Sequence, residues 1–557
     1  MQPVGDIRRV ALCIGLLTDP NHGVTDDTVA ERGVTTMSNT HQEIERKYEA
    51  PAEDEVNIDL GALKNLFPDD QPQDQHLDAT YFDTAGRDLA RHRVVLRRRR
   101  GGHDEGWHVK FVLGEARHEV HADLLKSSDA MPASMKNLLA GITLGEELQP
   151  VAHLATHRIR TIIRDEDGTE VAELCDDTVH STDHATGTER TWREWEVEIL
   201  DESLGEKAQN KIFTKLEKVL HRAGAHPSTS FAKIGRALGQ DRDFDEAAEI
   251  QRPEAPEAKK DSPKLTGAQK VISAALHEYL DDIPALDLGV HAGVDDSIHQ
   301  LRIRIRGLRS VLRGLRGVID PEIEKRLNEE LKASGAVLGE ARDLEVVREV
   351  LTEGHGWERL TQVAQGHVSD LLAEDEQAAV RASITRLRTT EHLELLGELR
   401  AFARQPVMAE KAAEWSGKKV AKAILSTLAK RLSHREGKAE GLEDPLVEEA
   451  LEGIHDVRKA AKSLRYAIDT LDAESAVPKK RRHDVKADRR EAKTLQSHLG
   501  RTMDLEAAGR WLDHAARVFQ RRDLDRYGIG LLAGELSVSL EASLADSLNL
   551  VHEMDEN

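Results

Sequence analysis

The sequence predicts two structural classes in one chain. An α+β N-terminal domain is built on an antiparallel tunnel of about eight strands, and it is followed by an all-α C-terminal domain of two duplicated helical bundles. Three observations carry this. Residues 41–200 break into short runs whose apolar residues alternate, separated by turn signals, the pattern of half-buried strands. From residue 266 to about 550 the apolar period lengthens to three and four residues, with no convincing strand. That helical half also repeats itself. Ile298-His299-Gln300-Leu301-Arg302 is answered by Ile454-His455-Asp456-Val457-Arg458, and Leu338-Gly339 through Asp343 by Leu499-Gly500 through Asp504. So long a period marks duplicated bundles, not a solenoid.

The strand runs are 42–49, 77–83, 92–99, 106–113, 116–121, 157–164, 169–176 and 192–200. Two helices accompany them, 57–67 and 204–222, the second with an apolar stripe of Ile212, Leu216, Val219 and Leu220. Proline and charge without periodicity mark 244–265 as a linker between domains at 41–243 and 266–550. Residues 1–40 are expected to be a disordered extension, or sequence upstream of a start at Met37. The apolar stretch 10–17 is short for an export signal and lacks a clean cleavage site.

With 557 residues, 39% of them hydrophobic, the chain is long enough for several cores. Its net charge of −23 argues against a nucleic-acid binder, and local clusters of cations matter more than the sum. Two cysteines, Cys13 and Cys175, fit neither a disulfide framework nor a metal-ligand spacing, which points to a reducing cytoplasm. No apolar run reaches membrane-spanning length, so no membrane partner is expected.

The run His41–Glu49 is the first candidate for chemistry. As a strand it sends Glu43, Glu45 and Lys47 to one face and Ile44, Arg46 and Tyr48 to the other. Two carboxylates and an amine in one row can hold a hard divalent cation against a phosphate. The same sorting sets Arg97 and Arg99, His108 and Lys110, and Glu194, Glu196 and Glu198 apart from apolar partners such as Trp107, Val109, Trp195 and Val197. The tryptophans Trp107, Trp192 and Trp195 read as packing on the covered face. Ordinary amphipathic strands would turn these charges to water. If helices cover the apolar side instead, the charges line a polar tunnel suited to a polyanion with divalent cations.

Residues 41–240 resemble a CYTH domain, the triphosphate tunnel metalloenzyme family. The matching pieces are Glu43-Ile-Glu-Arg-Lys47, Tyr81-Phe-Asp-Thr84, Leu96-Arg-Arg-Arg99, Lys110, Arg117 with Glu119, His157-Arg-Ile-Arg160, Leu174-Cys-Asp-Asp177, Glu194-Trp-Glu-Val-Glu198 and Lys233. The resemblance implies an eight-stranded tunnel that acts on a triphosphate with magnesium or manganese. It assigns phosphate oxygens to Lys47, Arg97, Arg99, Lys110, Arg158, Arg160 and Lys233. It assigns metal to Glu43, Glu45, Glu196 and Glu198, joined by Glu119, Asp176 and Glu194. Glu43, Glu45 and Lys47 are its catalytic row. Asp176 and Asp177 point to opposite faces, so only one of them can face a tunnel.

In the helical half, His299, Arg302, Arg306, Arg309, Arg313 and Arg316 share one stripe beside an apolar one. His455, Arg458, Lys462 and Arg465 repeat it, and Lys479, Arg482, Lys486, Arg489 and Lys493 form a third cationic face. Like charges at these spacings repel, so acidic neighbours or a polyanion must balance them. This half resembles the CHAD domain, an all-helical family implied to bind inorganic polyphosphate. The resemblance makes His299, Arg302, Arg306, Arg309, His455, Arg458, Lys462 and Arg465 candidate polyphosphate contacts.

Together these readings describe a cytoplasmic protein, in the company of polyphosphate granules. It would hydrolyse inorganic triphosphate or short polyphosphate in its tunnel and bind longer chains through its helices, without nucleic acid. An adenylate cyclase, a thiamine triphosphatase and a non-catalytic polyphosphate receptor stand as alternatives.

Overall fold

The computed structural model describes residues 40–51, 58–125, 130–228, 232–240, 264–441, 447–473 and 482–555. Residues 1–39 of the expected N-terminal extension, with Cys13, nearly all of the linker, and Lys479 lie outside the described residues, and Thr40 already belongs to the first strand.

Among the described residues, the N-terminal part is one antiparallel sheet of eleven strands. They are β1 (Thr40–Glu43), β2 (Glu45–Glu49), β3 (Phe67–Pro68), β4 (Gln73–Thr84), β5 (Val94–Arg100), β6 (Gly106–Leu113), β7 (Ala116–Ala122), β8 (Leu148–Arg164), β9 (Glu170–Asp183), β10 (Glu189–Ile199) and β11 (His226–Pro227). The pairing path runs β1-β7-β6-β5-β4-β8-β9-β10-β2-β11, with β3 on β8. Since β1 and β2 are parts of one run broken only at Ile44, the two ends of the path meet in a single stretch of chain. With β1 and β2 counted together and the two-residue strands β3 and β11 set aside, these are the eight expected runs.

Helices cover two stretches of the outer face. The helix Glu206–Arg222 lays Ile212, Phe213, Leu216 and Leu220 on Trp195, Val197, Val171 and Ile163. The helix Ala133–Thr143 lays Met135, Leu138, Leu139 and Ile142 on Leu96, Trp107, Val109 and Val120. Each buried large apolar side chain contributes roughly 1.5–3 kcal/mol. Alternation then leaves the charged set no place but the inside. There an apolar plug of Ala79, Tyr81, Ala152, Leu154, Val179 and Trp192 fills one stretch. Trp192 is therefore packed as expected but on the inner face, the parity of Glu194, while Trp107 and Trp195 are on the covered one.

Three local expectations change. Only a 3-10 turn at Leu60–Ala62 and the short strand β3 stand where the helix 57–67 was expected, because Asn65 takes a left-handed φ of 58° that ends any helix. β4 starts four residues before the expected run, at Gln73, since its polar outer face hides the period. β8 starts at Leu148, not 157, for the same reason of weak alternation.

The helical part repeats as read, with Ser297–Gly314 and Pro321–Glu353 answered by Val447–Ala473 and Arg482–Arg521. The copies do not form separate cores. Val347, Leu351, Val368, Leu371 and Leu372 of the first interlock with Leu505, Ala508, Leu512, Phe519 and Ile529 of the second. The stretch Tyr527–His552 is long and apolar enough to cross a membrane, with mean hydropathy 1.2, which corrects the expectation that none is. Glycines, alanines and serines spread its apolar content, and Ile529, Leu532 and Leu536 enter the shared core.

The two parts share a seam. Leu288 and Ala292 of the helix Ile283–Ala292 belong to the cluster over β5, β6 and β7, and Thr40 Oγ1 donates to the Ala292 carbonyl at 2.7 Å. Arg400 donates to the Gly141 and Ile142 carbonyls at 2.8 and 3.0 Å. Asp287, only 1% exposed, sits against Gly141 with His291 at 2.8 Å and His392 at 3.7 Å behind it. A Cβ on Gly141 would meet Asp287 Oδ2 at 2.6 Å. Gly141→Ala should therefore destabilise the full chain by about 1–3 kcal/mol despite the better helix propensity of alanine. Gly366→Ala, in open space within the helix Gln362–Leu387, should stabilise it by up to about 1 kcal/mol. Urea melts of both check this, and a neutral or stabilising Gly141→Ala would contradict the seam.

Candidate active site

The inner faces of β1, β2 and β4 to β10 enclose a cavity of about 560 Å³. Among the described residues, seven lysine or arginine and eight aspartate or glutamate side chains line it, so its charges nearly cancel. Register explains much of the pairing: Lys47 lies opposite Glu196, Arg158 opposite Asp177 and Lys110 opposite Glu119, while Arg117 reaches across to Glu45 at 2.7 Å.

Two clusters result. In the first, the short helix Lys233–Ala237 delivers Lys233 to Asp177 at 3.0 Å, Glu194 at 2.6 Å and Glu196 at 2.7 Å. Arg158 grips both oxygens of Asp177 at 2.7 Å and reaches Glu196 at 2.8 Å. Lys47 adds a bond to Glu196 at 2.6 Å and lies 3.4 Å from Glu45. Burial alone would raise the Glu196 carboxyl, yet Lys233, Lys47 and Arg158 hold it well below the usual range. In the second cluster Lys110 contacts Glu43 and lies 3.3 Å from Glu119, which also takes His108 Nδ1 at 2.6 Å and His41 at 3.5 Å. Burial pushes Glu43 up to about 7 against the pull of Lys110. It pushes Glu198, which has no ion-pair partner among the described residues, up to about 8.

The cations are also crowded. Burial and the neighbouring Arg97 and Arg158 bring Arg99 down to about 9, although it pairs with Asp104. Such a wall favours any added anion.

In the helical half the two repeated motifs meet each other. Arg302 passes over Gly339 to Asp343 at 2.9 Å, and Arg458 passes over Gly500 toward Asp504 at 4.0 Å. A Cβ at either glycine would crowd that guanidinium, at 3.4 and 3.2 Å. The helices Ser297–Gly314 and Val447–Ala473 pack together and merge their cationic stripes.

Comparison with known proteins decides the family. Residues 41–227 match the CYTH domain model and residues 274–513 the CHAD domain model. The chain joins a CYTH domain to a CHAD domain. Two Mycobacterium tuberculosis relatives, both named as uncharacterized proteins, MT2285 and Rv2226, are each 29% identical over 527 residues, covering 91% of this chain and 94% of their own. Among solved structures, the CHAD domain of Ricinus communis is 21% identical over 52% of this chain and 95% of its own, with a TM-score of 0.40. A candidate adenylate cyclase from Bacillus halodurans is 20% identical over 36% and 98%, with a TM-score of 0.25. A Hippeastrum candidate adenylyl cyclase, described as having a dominant triphosphatase activity, is 17% identical over 35% and 95%, with a TM-score of 0.23.

Most of the expected CYTH residues come together. Glu43, Glu45, Lys47, Arg97, Arg99, Lys110, Glu119, Arg158, Glu196, Glu198 and Lys233 line the cavity. Glu194 stands behind it, held by Lys233 and by Trp192 Nε1 at 2.6 Å. Arg160 has the right parity but bonds Glu173 at 2.7 Å and does not line the cavity. Asp176 is a correction. It lies on the helix-covered face beside Trp195, gripped by Arg193 at 2.8 and 2.6 Å, and Asp177, fully buried, takes the inner position. The assignment missed His41, His108, Tyr81 and Glu173, all cavity-lining. For His108 the signal was present, since it shares parity with Lys110, whereas Glu173 shares the parity of Asp177, which the assignment passed over for Asp176.

In the CHAD half, burial with Arg458, Arg306 and Arg302 nearby brings Lys462 down to about 6, and burial with Arg313 and Arg306 brings Arg309 to about 10. Arg306, Arg309 and Lys462 make no ion pair to a described acid. Arg465 departs from the expectation, because Asp469 at 2.9 Å and Gln496 at 2.8 Å occupy it. His455 is held near 4 by burial and the neighbouring Lys459 and Arg458, and His299 is lowered by burial, so both are uncharged donors at neutral pH.

Asp177→Asn should cost about 3–5 kcal/mol by removing the bidentate partner of Arg158 and one of the three carboxylates on Lys233, and Asp176→Asn under about 2 kcal/mol. Chemical denaturation of both variants measures this; equal losses would contradict the inward and outward assignments.

Proposed function

We propose that the CYTH cavity hydrolyses inorganic triphosphate or a short polyphosphate with a divalent metal, while the CHAD cations bind longer polyphosphate. The observation that carries this is the convergence of Lys47, Arg158 and Lys233, from three separate elements, on the trio Asp177, Glu194 and Glu196.

The residues present fit a hard divalent cation. Asp177, Glu194 and Glu196 offer oxygen atoms within 4.8 Å of one another, and His41, Glu43 and Glu119 form a second such group with one nitrogen. Carboxylate-rich sets of this kind suit magnesium or manganese. A cation held there supplies charge neutralisation and polarisation of phosphoryl oxygens.

The protein's own part is positioning. A terminal phosphate entering the first cluster takes Lys47, Arg158 and Lys233 as donors, and Arg97, Arg99 and Lys110 on the opposite wall hold the rest of the chain. Water attacks the terminal phosphorus, the bridging P–O bond breaks, and orthophosphate leaves from diphosphate. A loose phosphoryl transition state needs alignment and charge stabilisation more than covalent help.

Two features favour an inorganic substrate over a nucleotide or thiamine ester. Trp107, Trp192 and Trp195 all lie packed in apolar clusters, so none presents an indole to the cavity. The fused CHAD domain carries cations without acidic partners, which suits a longer polyanion.

Purified full-length chain with magnesium or manganese should release phosphate from tripolyphosphate faster than from ATP, thiamine triphosphate or long polyphosphate. Lys233→Met and Glu196→Gln should each lower kcat/KM by at least about 100-fold. Release from none of these substrates, with polyphosphate binding intact, would leave a receptor and remove the enzyme; preferential turnover of ATP to a cyclic product would make it a cyclase.

A further inference from the structure

The outer face of β4 and β8 carries a group that neither the cavity nor the cation band uses. His76 and His157 are direct register partners across this pair of strands, and their rings stack with centroids 4.9 Å apart and planes at 15°. Asp74, two residues before His76 and so on the same face, has Oδ1 at 2.9 Å from His157 Nε2 and 3.9 Å from His76 Nε2. One donor atom from each of the three lies within 4.8 Å of the others. All three are exposed, unlike the helix-covered outer faces nearby, so a hydrated ion can reach them.

The ordinary account is a solvated edge with a histidine–aspartate hydrogen bond. It explains one imidazole on Asp74 but leaves unexplained why a second is stacked on the first with its Nε2 turned to the same oxygen. Coordination explains both. Metal–nitrogen and metal–oxygen bonds of about 2.0–2.2 Å at tetrahedral angles need donors about 3.3 Å apart, and the observed 2.9 and 3.9 Å bracket that value. A β-ladder fixes directly opposed side chains at close spacing, so the two imidazoles already lie side by side, and a turn of one ring would aim both nitrogens at one ion. Two imidazole nitrogens and one carboxylate oxygen make a borderline donor set, suited to zinc and not to magnesium.

We propose that Asp74, His76 and His157 form a surface site for a borderline divalent transition metal, zinc in the first instance, which clamps β4 to β8. The site is distinct from the carboxylate groups inside the cavity and does not depend on the activity proposed for them. His157 is the residue before Arg158, whose side chain points inward to Asp177 and Glu196. A clamp there would hold the strand that presents that guanidinium.

Zinc is titrated into the full-length chain in excess magnesium, which occupies the oxygen-rich groups, and binding is followed by calorimetry and by the thermal midpoint. The expected result is one zinc bound per chain with a raised midpoint. His76→Ala and His157→Ala should each weaken it by at least about tenfold, with circular dichroism unchanged because both side chains are exposed. The facing groups are Asp74, Asp78 and His153, with His153 on Asp78 at 2.7 Å, so Asp78→Asn should have the smaller effect. Zinc bound equally well by the His76→Ala/His157→Ala double variant, or no zinc bound by the wild type below millimolar concentration, would overturn the proposal.

Discussion

The structure depends on charge pairing inside the CYTH sheet. An isolated carboxylate or ammonium buried there would cost several kcal/mol, and the cavity holds more than a dozen. Lys233 shows how this is met, since one amine lies within 3.0 Å of Asp177, Glu194 and Glu196 at once. With most of these charges paired and burial favouring the neutral form of Glu198, the apolar halves of the same strands are free to face outward under Glu206–Arg222 and Ala133–Thr143. The inverted arrangement, with charge inside and helices outside, follows from that pairing. Under the proposed function the same pairing would set the chemistry, each amine passing from a carboxylate to a phosphate and each carboxylate so released turning to a metal.

The CHAD half handles charge differently. Its repeated motifs spend one arginine each, Arg302 and Arg458, on an internal aspartate across a glycine. The remaining cations, Arg306, Arg309 and Lys462, have no acidic partner among the described residues, and burial, with Arg458, Arg306 and Arg302 nearby, brings Lys462 down to about 6. A polyanion would restore that charge, so the two domains present complementary designs: one balanced and enclosed, the other unbalanced and open. The seam at Gly141, Asp287 and Arg400 joins them through packed side chains and backbone carbonyls.

Much of this was legible in the sequence because strand parity is strict. Glu43, Glu45 and Lys47 declare a common face, as do Glu194, Glu196 and Glu198, and the structure puts them on the inner face. Parity alone also foretold that Asp176 and Asp177 must part, but not which turns inward. That depends on Arg193, which takes Asp176 on the covered side, and on Arg158 opposite Asp177, both tertiary facts. The helix expected at 57–67 failed for a local reason, the left-handed Asn65, which periodicity does not register. Arg465 failed for a tertiary one, since Gln496 lies thirty-one residues away. The duplication was plain from the motifs, whereas the interlocking of the two copies through Leu372 and Phe519 was not.

The central claim is that cations and carboxylates in the cavity neutralise each other until substrate and metal arrive together. Calorimetric titration of tripolyphosphate into the full-length chain, with and without manganese, tests it most directly. Under the account, manganese tightens tripolyphosphate binding by about tenfold or more, and tripolyphosphate tightens manganese binding by the same factor, as linkage requires. Tripolyphosphate binding with the same affinity whether or not the metal is present would contradict it.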